Sequence, residues 1–428
     1  PADCGGAMRG ILHAGARISP IVGASGAPLY PTNPDDILPV FALLGDSITL
    51  GCRPTNTGHV NRGYWPWAQA LSGFRAYAGV YAGVGGNITT QMLARLEADV
   101  ITPMAAYAGR DRYCIVMGGV NDSVTDSDII ATATGNLAGI YDALIAAGIT
   151  PIAMTATPTS SATTTTQIAN WNGINGWLRT YCPANGIALC DNIADCLDQS
   201  FPATTSPIWK IGYSHDGVHP TALGAQAIAR ALVEQLELLD PVQHFRTTTD
   251  AFFGRILSNH AMTGSSGTLS EGATGMVATA WELFYGAGAK SARTDGGAGE
   301  WQKMEITATQ VRIGPDPSID VISGFAPGDL VVAQLEVVCV NDWVNISQFV
   351  LLLEFRNGST VLNGLSFLNN DPYSQIIGNP TPDGTLILRT TPTSIPVGCN
   401  IIRTYLNFAG DAGTIKIGRY ELLKLAIA

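Results

Sequence analysis

Between Leu38 and about Leu239 the hydrophobic pattern alternates between two periods, and this limits the fold more than any other feature. Apolar runs of strand length are "VFALL" (Val40 to Leu44), "AYAGVYAG" around Val80, "YCIVMGG" (Tyr113 to Gly119), "TPIAMTA" around Ala153 and the shorter "GIALC". Between them, "TTQMLARLEADV", "SDIIATATGNLAGIYDALIAAG" and "IANWNGINGWLRTYC" repeat their apolar residues every three or four positions, which marks amphipathic helices. A final helix, "TALGAQAIARALVEQLELL", is opened by Pro220 and Thr221, both good first-turn residues. Strand and helix in alternation predict a parallel sheet covered on both faces, over residues 38–240.

After about Asp240 the helical period disappears. "LVVAQLEVVCV", "QFVLLLEFRNGSTVL", "TLILRTT" and "GTIKIGRYELLKL" alternate apolar and polar positions between Gly, Pro and Asn. In "FRNGST" the pair Asn357-Gly358 suits a two-residue hairpin turn, since both residues tolerate positive φ. The expectation is an antiparallel β-sandwich of jelly-roll type over residues 262–428, joined through a linker at 241–261. Residues 1–37 show no clear period and read as an irregular N-terminal arm. At 428 residues the chain exceeds what one core usually serves, so two domains are expected.

A net charge of −11 argues against nucleic acid as a partner, because that affinity depends on clustered Lys and Arg. No run approaches the ~20 apolar residues of a membrane-spanning helix, and the opening "PADCGGAMRG" lacks a signal peptide's layout. A soluble chain is therefore expected, any export signal having already gone. The eight cysteines form no CxxC pair, so neither metal nor other cofactor is called for. Cys182, Cys190 and Cys196 lie close in sequence, and Cys339 and Cys399 both fall in strand-like runs. One or two disulfides or buried free thiols fit equally well.

In an open parallel sheet, ligands bind beyond the carboxyl ends of the strands. "VFALLGDSITLGC" places Ser47 just after the first strand. A serine hydroxyl needs a base to take its proton and a third group to orient that base. "YSHDGVHPTALG" offers Asp216 and His219, three apart, immediately before the last helix. The neighbouring His215 is a weaker base because it precedes the acid. His13, His59, His244 and His260 fall outside the strand-end loops and read as structural. An oxyanion needs donors as well. Gly86 in "YAGVGGNITT" lets its N–H approach closely, Asn121 in "VMGGVND" offers a side-chain amide, and the Ser47 N–H makes a third.

"GDSI" at 45–48, "GVGGN" at 83–87, "GGVND" at 118–122 and "DGVH" at 216–219 resemble the four ordered blocks of the SGNH (GDSL-type) serine hydrolases. The resemblance covers Leu38 to Leu239 and implies a flavodoxin-like three-layer α/β/α fold. It implies Ser47 as nucleophile, His219 as base, Asp216 as its partner, and Ser47, Gly86 and Asn121 as oxyanion-hole donors. The other large serine-hydrolase fold uses G-x-S-x-G, which the chain lacks. Asn87-Ile88-Thr89 and Asn121-Asp122-Ser123 match glycosylation acceptors, but a glycan there would block the oxyanion hole.

These residues specify acyl transfer to water and leave the ester open. The polar segment "TATPTSSATTTTQ" (Thr155 to Gln167) offers no apolar lid and reads as a mobile loop, which favours a small acyl group. The appended sandwich resembles carbohydrate-binding modules, with Trp281, Trp301, Trp343 and Tyr373 as candidate sugar-stacking faces. The favoured expectation is a secreted or virion-borne O-acetyl esterase acting on an acetylated polysaccharide. Two others stand beside it: a lipid or short-chain esterase with a structural sandwich, and a non-catalytic glycan-binding protein. The sandwich also leaves room for oligomerisation.

Overall fold

The computed structural model describes residues 38–53, 62–200, 207–239, 254–367 and 385–425. The expected N-terminal arm, most of the linker, Tyr373, His13, His59 and His244 lie outside them. The chain forms two compact units, one drawn mainly from residues up to Pro241 and the other mainly from Val242 onward.

The first unit is a five-stranded parallel sheet in the order β2-β1-β3-β4-β5. The strands are β1 (Val40–Gly45), β2 (Tyr77–Gly83), β3 (Arg112–Met117), β4 (Thr150–Met154) and β5 (Ala188–Cys190). The α-helices of four or more residues, in chain order, are α1 (Ser47–Leu50), α2 (Tyr64–Leu71), α3 (Thr89–Leu96), α4 (Val120–Ser123), α5 (Ile130–Ala146), α6 (Thr165–Ala184), α7 (Ile193–Cys196) and α8 (Ala222–Leu236).

Every residue of β1 is buried because the sheet is covered on both faces. Val40, Ala42 and Leu44 join Met92 and Leu96 of α3, Leu137 and Tyr141 of α5, and Ile174 and Leu178 of α6 in one core cluster. Phe41, pointing the opposite way, packs on Trp65 of α2 at 5.1 Å between ring centroids. Two helix starts are capped by side chains: Thr164 accepts from Gln167 N–H at α6, and Thr221 accepts from Gly224 N–H at α8. The strand order 2-1-3-4-5 puts a topological switch at β1 and β3, the place where open α/β sheets bind ligands beyond their strand ends.

The second unit is a β-sandwich. Its long strands include Leu330–Cys339, Gln348–Asn357, Ile401–Ala409 and Thr414–Leu425. Tyr420 crosses between the sheets: its hydroxyl lies 2.7 Å from Thr404 Oγ1, and its ring packs 5.0 Å from Trp281. The sheets are mixed, not wholly antiparallel as expected. Ser266–Ser270 runs parallel to Val277–Tyr285, and Thr274–Gly275 parallel to Ala287–Ala292. In the hairpin, Asn357 pairs with Thr360, so the loop residues are Gly358 and Ser359, one position later than expected. Gly358 takes the positive φ there, at 57°.

One expectation is overturned. Trp281, Trp301 and Trp343 are exposed by only 1%, 8% and 3%, so none can offer a sugar its face. Trp281 donates its indole N–H to the Asn259 carbonyl, Trp301 is covered by the Arg293 guanidinium, and Trp343 packs among Phe349 and Phe408. An indole filling an inter-sheet core buries more apolar area than any surface role allows, and burial wins. Of the two readings of the cysteines, the structure carries the second: Cys182, Cys190, Cys196 and Cys399 are buried free thiols.

Candidate active site

The backbone is closely packed where β1 turns into α1. A Cβ on Gly45 would sit 2.2 Å from Thr49 Oγ1 and 2.6 Å from the Met117 carbonyl. Asp46 caps α1, its carboxylate accepting from Ile48 N–H at 2.9 Å. The chain thereby presents Ser47 as the first residue of the helix, beyond the carboxyl end of the strand.

The turn before α8 is fastened by its own side chains. Ser214 Oγ accepts from Gly217 N–H at 2.9 Å and donates to the His219 carbonyl at 2.7 Å. Asp216 uses one carboxylate oxygen to accept from the Val218 and His219 N–H groups, at 2.9 and 2.7 Å. Its other oxygen lies 2.7 Å from His219 Nδ1, and His219 Nε2 lies 2.8 Å from Ser47 Oγ. A carboxylate can only accept, so Nδ1 carries the proton and Nε2 offers its lone pair to the serine hydroxyl. Partial burial alone would raise the Asp216 pKa, but the bonds from His219 and Val218 outweigh it and lower it to about 2. Asp216 is therefore ionised at neutral pH.

Residues 43–227 match the GDSL-like Lipase/Acylhydrolase family, with this serine and this histidine inside the matched span. The matched span covers most of the α/β unit. Among solved structures, a lipase/acylhydrolase from Enterococcus faecalis is similar at 19% identity and a TM-score of 0.36, covering 48% of this chain and 99% of that one. A GDSL-like lipase from Bacteroides thetaiotaomicron is 19% identical with a TM-score of 0.35, over 48% of this chain and 90% of that one. A mutant acetyl-xylooligosaccharide esterase from a Geobacillus is 18% identical with a TM-score of 0.36, over 49% and 97%. No curated protein matches the chain's sequence.

Around Ser47 the α/β unit assembles two further turns. After β2, Val84 N–H donates to the Gly45 carbonyl at 3.1 Å, and Gly86 takes a φ of 74°. A Cβ on Gly85 would lie 4.0 Å from that of Ser47, so this turn runs beside the hydroxyl. The Ser47 and Gly86 N–H groups meet no acceptor among the described residues. After β3, Gly119 at a φ of 104° starts α4, and Asn121 donates one amide N–H to the Asn87 carbonyl at 3.0 Å. The turns bearing Ser47, Gly86 and Asn121 thus follow β1, β2 and β3 at one sheet edge.

His215, the weaker candidate base, faces Arg62: its Nε2 is 3.0 Å from Arg62 Nη1, and its Nδ1 is 3.8 Å from Asp216. His215, Asp216 and His219 bring three metal-ligating atoms within 4.8 Å of one another. Both nitrogens of His219 are already committed to Ser47 and Asp216, so an ion would have to break that relay.

Sequence reasoning missed the residues behind these turns. Asp122 accepts from Thr89 N–H at 3.0 Å and from Thr89 Oγ1 at 2.6 Å, tying α4 to the start of α3. Its place beside Asn121 in the third block was the available signal. Asp46 is 1% exposed, and burial pushes its pKa up to about 6 against the pull of the Ile48 N–H and His219. The segment expected as a mobile loop is fastened: Ser160 N–H donates to the Gly217 carbonyl at 2.8 Å and Thr159 N–H to that of Pro207 at 2.8 Å.

Proposed function

We propose that the α/β unit hydrolyses a carboxylic ester through an acyl-enzyme on Ser47, and that its substrate is a carbohydrate O-acetyl ester. The observation that carries the reaction type is the relay of 2.8 and 2.7 Å from Ser47 through His219 to Asp216. His219 Nε2 removes the hydroxyl proton as Ser47 Oγ attacks the ester carbonyl, and Asp216 stabilises the resulting imidazolium. The oxyanion is received by the Ser47 and Gly86 N–H groups and the second amide N–H of Asn121. The imidazolium then protonates the departing alcohol. Water, activated by the same imidazole, releases acetate and restores Ser47.

Two features support a small acyl group on a polar alcohol. The segment packed against the His219 turn exposes Ser160, Ser161 and Thr163, groups suited to hydroxyl-rich partners. Among the described residues of this unit the exposed large apolar side chains are Val84, Ile145 and Ile211, three separate positions and no continuous run for a long chain. The test is turnover of an acyl-chain series beside acetate release from acetylated xylan and pectin. Acetate release with activity falling beyond butyryl supports the reading; activity rising with chain length assigns the site to lipid esters.

A further inference from the structure

We propose that Arg95 is a positioning residue for ester hydrolysis, holding the Asn121 amide and the Ser47 turn in mutual register. The inference rests on the reading of Ser47 as nucleophile and Asn121 as oxyanion donor. Arg95 lies in the last turn of α3, outside all four sequence blocks, with its side chain 15% exposed. Its guanidinium donates in three directions: Nη2 to the Gly45 carbonyl at 2.8 Å, Nε to Asn87 Oδ1 at 2.7 Å, and Nη1 to Asp99 at 3.0 Å.

The first two acceptors belong to different turns of the site. Gly45 stands two residues before Ser47, and its carbonyl also receives Val84 N–H from the turn after β2. Asn87 follows Gly86, and its main-chain carbonyl accepts the Asn121 amide. One planar fork therefore fixes the backbone leading to the nucleophile and, through Asn87, the amide that meets the oxyanion. Asp99, one helical turn on, accepts the remaining donor and orients the fork. A lysine ammonium would keep the charge but could not reproduce these coplanar directions. An amide displaced by a fraction of an ångström binds the substrate carbonyl much as before and the oxyanion less well.

The experiment is a double-mutant cycle on a soluble acetyl ester, with kcat and KM measured separately. Arg95→Met is expected to lower kcat about tenfold or more with KM within about twofold. Arg95→Lys should not restore it. If Arg95 acts through Asn121, the double variant Arg95→Met/Asn121→Ala should be no slower than Asn121→Ala alone. If Arg95→Met fails to fold, Asn87→Ala enters the same cycle: it removes the Oδ1 link while sparing the bonds to Gly45 and Asp99. Unchanged kcat in these variants, losses that multiply in the double variant, or full rescue by lysine would overturn the assignment. A wild-type protein inactive on every ester tried would instead overturn the reading beneath it.

Discussion

Asp216 reaches His219 twice, accepting its N–H at 2.7 Å with one oxygen and holding Nδ1 at 2.7 Å with the other. The same carboxylate shapes the turn and sets the tautomer. Asp216→Asn keeps the size but presents an amide that can donate to Nδ1, which favours the proton on Nε2. Turnover should fall about a thousandfold to ten-thousandfold on a soluble acetyl ester, with the fold retained by circular dichroism.

The low pKa of Asp216, about 2, has a direct pH consequence. A carboxyl depressed on folding contributes stability above its unfolded pKa, and that stability is lost as pH falls toward the folded value. Asp216 therefore stays ionised down to about pH 3, and the acid limb of kcat/KM above that pH belongs to other groups. Ester hydrolysis measured from pH 3.5 to 8 should show no inflection that Asp216 causes.

Asp46 has the opposite sign. Its pKa is raised from 3.8 to about 6 by burial, so between those values the unfolded chain has lost a proton that the folded one keeps. Stability falls as pH rises through this window, by about 3 kcal/mol at most, and levels off above it. Asp46→Asn retains an acceptor for Ile48 N–H without the titration. Denaturation midpoints at pH 4 and pH 7 should differ less in the variant than in the parent by this contribution.

In the sandwich, Trp343→Ala removes a ring that contacts Phe349 and Phe408 at 5.3 and 4.9 Å. The expected cost is about 3–5 kcal/mol of stability for that unit, read by urea denaturation. A variant equal to the parent in stability but weaker on polysaccharide would return Trp343 to the surface role that its burial denies.

How much was legible in the sequence follows from the range of each interaction. Val40 to Leu44, Tyr113 to Met117 and the helix after Thr221 announced themselves because each is buried by its own local pattern. Helix α2 did not: "YWPWAQAL" is apolar nearly throughout and shows no contrast between faces. Ala287–Ala292, "AGAKSA", is held by pairing with Glu300–Glu305 instead of by an apolar face, so no period betrays it. The three buried tryptophans show the limit of residue type, since an indole suits a core and a sugar platform equally until its neighbours are known. At the site, Ser47, Asp216 and His219 were readable because each lies in a short block at a strand end. Arg95 and the Asp122–Thr89 tie were not, because their partners lie up to 50 residues away in sequence.

Covalent labelling by a fluorophosphonate is the sharpest test of Ser47 as nucleophile, because the probe reacts with an activated serine and its adduct is located by mass spectrometry of peptides. One adduct is expected, on Ser47, abolished in Ser47→Ala together with all but about a hundredth or less of ester hydrolysis. An adduct on another residue, or a Ser47→Ala variant that still hydrolyses ester at a substantial fraction of the parent rate, would contradict it.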